Sequence, residues 1–189
     1  MRASARRVAL GLMLALAAVG AAVPGVADGQ ADERPWELTK GPRLRRIATH
    51  GSKVWGHLFG FVARDGRCGD EILWITWSAK ANLDDLRGER AQVRISSGAV
   101  EGIVTPAITA TTRVGTTHVF VLTNFAASEA LTSLLAANET ADVAIVGPPE
   151  LVERLEVRSD EFGLAAYAHA RGVMLEDCEP GDGERGDDT

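Results

Sequence analysis

The residues able to do chemistry are few and widely spaced. Cys68 and Cys178 are the two cysteines of a 189-residue chain. Two thiols are too few for a disulfide-framework toxin or a structural zinc site. Neither has a Cys or His at the two-to-four-residue spacing of a metal motif. In an oxidising compartment the simplest outcome is one bridge, closing a loop of ~110 residues; two buried free thiols are the alternative. The four histidines, His50, His57, His118 and His169, form no His-x-x-x-His or His-Glu-x-x-His pair. His57 and His118 fall on expected strands beside Phe59 and Phe120, and His169 on the apolar stripe of the last expected helix. There a histidine is expected to be a hydrogen-bonded packing residue, with general base as the competing role.

Nucleophile and phosphate motifs are absent: no Gly-x-Ser-x-Gly, no Ser-x-x-Lys, no glycine-rich loop followed by Lys-Ser/Thr. Asp84-Asp85 and Asp187-Asp188 are adjacent carboxylates, which point apart on a strand or loop and make no acid/base dyad. Arg185-Gly186-Asp187 is a chance tripeptide in an Arg-, Gly- and Asp-rich tail. The sequence therefore assigns no catalytic residue, no metal ligand and no cofactor. Of the tryptophans, Trp36 opens the folded part, while Trp55, Trp74 and Trp77 fall on expected strands, where a buried core position is the default. A solvent-facing aromatic row would instead mark a binding surface. The candidate row is Trp55, His57, Phe59 and Phe61, which share one face of Lys53–Ala63.

The elements that must position these residues are mostly strands. In Lys53–Ala63 the second face holds Val54, Gly56, Leu58, Gly60 and Val62, small enough for close approach of another backbone. Glu71–Ser78 is apolar on both faces, the pattern of a central strand. Arg90–Ser96, Thr116–Thr123, Thr140–Val146 and Leu151–Arg158 complete the expected strands, with a turn at Gly147-Pro148-Pro149. Glu101–Thr112 is weaker β material whose Pro106 argues for an edge or a bend. Helices are expected over Phe125–Ala137, capped by Asn124 or Ser128, and over Glu161–Leu175, capped by Ser159 or Asp160. The fold class is a mainly β, α+β domain: an antiparallel sheet or sandwich with one or two packed helices.

Both chain ends differ from this middle. Arg2, Arg6 and Arg7 precede an apolar run, Val8–Val23, and small residues before Ala27, the three parts of a secretory signal. Cleavage is expected after Ala27, or alternatively after Ala31; the run is short for the ~20 residues of a membrane anchor. Residues 28–35 read as a flexible leader, 36–178 as one β-rich domain and 179–189 as a disordered acidic tail. The chain has 20 Lys+Arg and 26 Asp+Glu, net −6; removing Arg2, Arg6 and Arg7 leaves 17 against 26, net −9. So acidic a chain lacks the basic footprint of general nucleic-acid binding.

The arrangement resembles a family. A signal, an early Trp36, a strand ending near Cys68, Leu73-Trp74-Ile75-Thr76-Trp77-Ser78, a middle helix and Glu161-Phe162-Gly163-Leu164-Ala165-Ala166 leading to Cys178 follow in order. This is similar to the small exported proteins around the invasion-associated locus B family and to the periplasmic accessory proteins of type VI secretion. Trp36 lacks the nearby Cys usual in the first group. The resemblance implies an exported, non-enzymatic envelope protein and transfers no functional residue.

Taken together, the chain is expected to be periplasmic or secreted. It is expected to bind another envelope or secreted protein, without stable membrane insertion of the mature chain. A small exported hydrolase built around His57 or His118 is the alternative. So is an inhibitor or immunity-type protein, whose acidic surface would suit a basic target.

Overall fold

The computed structural model describes residues 35–179. The signal, nearly all of the leader, and Asp187-Asp188 with Arg185-Gly186-Asp187 lie outside them. Ten strands form two antiparallel sheets. The larger contains β1 (Glu37–Gly41), β2 (Leu44–His50), β3 (Leu58–Arg64), β4 (Arg67–Ala79), β7 (Ala107–Val114) and β8 (Thr117–Thr123), in the order β1-β2-β3-β4-β8-β7. The smaller contains β5 (Gln92–Ser97), β6 (Val100–Val104), β9 (Thr140–Gly147) and β10 (Ser159–Gly163), in the order β10-β9-β5-β6. Three α-helices and a short 3-10 turn at Asp84–Leu86 complete the described elements: α1 (Glu129–Ala136), the single-turn α2 (Pro149–Val152) and α3 (Tyr167–Glu176). The α+β class with predominant antiparallel sheet is thus the observed one.

The inner faces of both sheets meet in one hydrophobic cluster. From the larger sheet come Ile47, Phe59, Phe61, Leu73, Ile75, Trp77, Phe120 and Leu122; from the smaller, Val93, Ile95, Val143, Ile145 and Phe162. These alternate along their strands, as period-2 geometry requires. β4 is indeed internal to its sheet, flanked by β3 and β8. The weak β material divides at Pro106. β6 and β7 are edge strands of different sheets, and the chain crosses between sheets where proline removes a ladder donor. Gly60 sits opposite Trp74 and against β2, where a Cβ would lie 1.9 Å from the Ile47 carbonyl oxygen. Close backbone approach thus requires that glycine.

Several boundaries differ from expectation. The 53–63 strand starts only at Leu58, because the backbone of Lys53 and Val54 is engaged by a side chain, Asp160, instead of by a neighbouring strand. The 151–158 strand is instead the α2 turn and irregular chain: Leu151 and Leu155 are both buried at helical spacing, and Pro149 favours helix initiation. The 161–175 helix is replaced at its start by β10, where Asp160 and Phe162 are buried at period 2, with buried Leu164 just past its end, and α3 begins only at Tyr167. In α1 the cap is Ser128, whose hydroxyl accepts from the Leu131 N–H; Asn124 is a left-handed turn residue at φ 61°. Strands β1 and β2 were not expected from the sequence; charged Arg45, Arg46 and Lys40 mask their alternation.

Candidate functional site

Cys68 and Cys178 are bonded, with Cα atoms 5.7 Å apart. Cys68 lies just inside β4, past the Asp65-Gly66 turn, and Cys178 just after α3. Glu179 is also placed: its carbonyl accepts from Gly66 N at 2.7 Å and its N–H donates to Asp65 Oδ1 at 3.2 Å. Of the expected tail, Glu179 alone is among the described residues; 180–189 lie outside them.

The row Trp55, His57, Phe59 and Phe61 does not form a surface. His57, Phe59 and Phe61 have no exposed area, whereas Trp55 is 64% exposed. Phe59 and Phe61 point between the sheets, against Trp36, Phe162 and Tyr167. Trp55 belongs to the loop before β3 and stacks on His50, ring centres 4.0 Å apart. Of the other tryptophans only Trp77 is fully buried, donating Nε1–H to the Val157 carbonyl. Trp74 lies on the opposite face of β4 and is half-buried.

His57 is the centre of a polar cluster that joins the sheets. Its Nδ1 lies 2.9 Å from Asp160 Oδ2, and its Nε2 lies 2.8 Å from Ser78 Oγ. The carboxylate can only accept, so Nδ1 carries the proton and the neutral Nε2 accepts from the Ser78 hydroxyl. The ring stacks on Trp77, centres 3.9 Å apart. Burial pushes the imidazole pKa down, and the Asp160 hydrogen bond and charge only partly oppose this, so the ring is neutral at pH 7. Asp160 is fully buried and saturated. Oδ1 accepts from Lys53 N at 2.7 Å, Glu161 N at 2.9 Å and Ser52 Oγ at 3.3 Å; Oδ2 accepts from Val54 N at 3.0 Å and from His57. Gly51 completes the cradle, since a Cβ there would meet Asp160 Oδ2 at 2.3 Å.

The order carboxylate–imidazole–hydroxyl is that of a nucleophile relay: Nε2 could take the Ser78 proton as Oγ attacks a carbonyl. Two features speak for a structural brace instead. The ring has no solvent-facing area, and protonating it would create a charge that burial disfavours. Four described depressions in the surface are lined by other residues.

The remaining histidines are dispersed. His118 is half-buried at the start of β8, opposite Ala79 and Arg113; His169 is exposed on α3, off the apolar stripe assigned to it. Asp84 and Asp85 do point apart: Asp84 accepts from Asn82 and Thr111, and Asp85 pairs with both terminal nitrogens of Arg154 at 2.6 and 2.7 Å. Among the described residues no group of three or more His, Cys, Asp or Glu could hold a metal, and no helix is long and apolar enough to cross a membrane.

The two sheets differ on their outer faces. That of the smaller sheet carries exposed Gln92, Arg94, Asp142 and Glu161, with Ala144, Val146 and Ile103 as apolar members. That of the larger sheet carries Leu58 and Val62 from β3, Ile72 and Trp74 from β4, and Val119 and Val121 from β8, all half-buried. The described helices pack against β1, β2, β9 and one another. At one end of this face lies a depression of about 300 Å³, with Leu44, Val62, Ile72 and Trp74 as walls and Arg46 and Arg64 as its charged members. The Arg46 guanidinium lies over the Trp74 ring, 4.4 Å from its centre. Sequence reasoning missed Arg46, Ser78 and Asp160; the apolar character of both β4 faces was the signal for the open one.

No family model matches the chain, and comparisons with curated proteins and with solved structures find no match.

Proposed function

We propose that this is an exported envelope protein that works by binding, as an accessory component, through the outer face of its larger sheet. One observation carries the reading. A one-sided antiparallel sheet is expected to alternate apolar-in and polar-out, as the smaller sheet largely does; the larger puts six large apolar side chains on the outside as well. The bonded Cys68–Cys178 pair and the signal-like N-terminus support export. The test is a photo-crosslinking residue at position 119 on that face, or at 142 on the smaller sheet, in cells fractionated afterwards. Adducts from 119 and not 142, on shortened protein outside the cytoplasm, are expected. Adducts from 142 alone, or full-length protein retained inside, would overturn the reading.

The His57–Asp160–Ser78 distances favour a second reading, an acyl-transfer enzyme with Ser78 as nucleophile. A fluorophosphonate probe decides it. Labelling of Ser78 in native protein, lost in His57→Gln, supports catalysis; unlabelled Ser78 leaves the cluster a brace.

A further inference from the structure

Among the described residues Arg46 has no carboxylate in ion-pair contact. The arginine is half-buried; its Nη2 donates to Thr39 Oγ1 at 3.2 Å, and its Nε is buried with no hydrogen-bond partner. Burial pushes its pKa down against the weaker opposing pull of Glu37, so the guanidinium is incompletely compensated where it stands. It nevertheless stays protonated, as guanidinium does in proteins. Arg64 adds a second positive charge to the same depression, and no acidic residue lines it. A depression with two cations and no acid is unexpected in a chain of net charge −6.

The walls narrow the chemistry further. Leu44, Val62, Ile72 and the Trp74 ring present apolar surface beside the two guanidinium groups. The volume of about 300 Å³ is at the small end of ligand sites. Stacking on Trp74 fixes the plane of the Arg46 fork, and a fixed planar fork suits a planar two-oxygen acceptor better than a point charge. We propose that this depression binds a small amphipathic carboxylate, with its acid head between Arg46 and Arg64 and its apolar body against Trp74, Val62 and Ile72. The inference rests on reading the outer face as a binding surface and names its ligand class. The bound head would supply the contacting carboxylate that Glu37, too far away for an ion pair, does not.

The test is titration of the full chain, by tryptophan fluorescence and calorimetry, with decanoate, decanol and decyltrimethylammonium, all below their aggregation limits. Decanoate is expected to bind saturably at one site. Decanol and the cation are expected to bind at least tenfold more weakly, since hydrogen bonds to charged groups are worth about a factor of ten or more. Arg46→Gln should weaken decanoate by a similar factor, Arg46→Lys by less. Val62→Glu is the second variant, should Arg46→Gln fail to fold. Val62 faces Arg46 across the β2–β3 ladder, so a carboxylate there becomes a resident counter-ion and should abolish decanoate binding. Decanol binding as tightly as decanoate, decanoate affinity unchanged in Arg46→Gln or Val62→Glu, or no saturable binding would overturn the inference. Crosslinks confined to position 119 would then still uphold the binding face, whereas crosslinks from 142 alone would remove the face itself.

Discussion

Asp160 and His57 lie 103 residues apart in sequence and meet at 2.9 Å, joining β10 of the smaller sheet to the loop that enters β3 of the larger. The same carboxylate also fixes the path of that loop, through Lys53 N and Val54 N. One side chain thus sets where β3 begins and how the sheets are held together.

Removing that carboxylate should be among the costliest single changes. Asp160→Ala leaves the buried His57 ring and the part-buried N–H groups of residues 53, 54 and 161 without their acceptor, and losing such a network costs on the order of 3–5 kcal/mol. At roughly 2–4 °C per kcal/mol for a domain of this size, the melting temperature should fall by about 6–20 °C. Ser78→Ala removes one hydrogen bond from a half-exposed hydroxyl and should cost only about 1 kcal/mol. Thermal and urea melts of the two variants check the contrast. Near-equal losses would mean that Asp160 is no brace.

The buried imidazole gives stability a definite pH dependence. The folded-state pKa of His57 is lowered from 6.5, so below about pH 6.5 the unfolded chain binds the proton more readily than the folded one. The stability contributed by the neutral ring is present above that pH and is lost as pH falls towards the folded pKa. Chemical denaturation of wild type and His57→Gln between pH 8 and pH 5 should show the wild-type advantage constant above pH 7 and shrinking below 6.5. An advantage that grows on acidification would reverse the sign and refute the assignment.

How much of this was legible in sequence depended on whether the information was local. The alternation around Phe59 and Phe61, the two apolar faces of β4 and the break at Pro106 are local patterns, and each corresponds to an element of the fold. Asp160 was not legible as a brace. Aspartate before Glu161 and an Ala-rich stretch is also a helix-cap pattern, and only the distant Gly51–His57 loop reveals the alternative. Trp55, His57, Phe59 and Phe61 shared a face only if the strand reached back to Lys53, and that depended on a residue more than 100 positions away. Arg46 escaped notice because arginine on an outward strand position is ordinary; that no described carboxylate comes into contact with it is a tertiary fact.

A second polar pair seats α3 on β4. Arg171 donates through Nε to both Glu71 oxygens at 2.9 Å, with a further bond through Nη2, and Glu71 is 5% exposed. The same pairing raises the arginine's pKa. Arg171→Met strands the carboxylate, and because the guanidinium is partly exposed the loss should be about 2–3 kcal/mol, below the full cost of breaking a buried pair. Adding Glu71→Met should recover most of it, since apolar replacement of both partners is often neutral. A double-mutant cycle by urea denaturation measures the coupling. Additive losses would show that the two side chains do not act as a pair.

The bridge between Cys68 and Cys178 fastens the same helix from its other end. It closes a separation of 110 residues, for which the chain-entropy model gives on the order of 4–5 kcal/mol, an upper figure that measured bridges often miss. That is a large share of the ~5–15 kcal/mol that holds an ordinary domain. Among the described residues beyond it, Glu179 contacts Asp65 and Gly66 and ties the chain to the β3–β4 turn. Helix α3 has Gly172 in its interior and a left-handed residue, Ala166, at its start without a side-chain cap, so it is intrinsically weak. β10 is held independently, by its ladder to β9 and by Asp160. Reduction, or Cys178→Ser, should therefore lower the melting temperature by many degrees and open the chain to protease first within α3, after Tyr167, while Ser159–Gly163 stays protected. Non-reducing peptide mapping, melts with and without reductant, and timed proteolysis check this. Two free thiols in oxidised protein, or first cleavage upstream of Asp160, would contradict it.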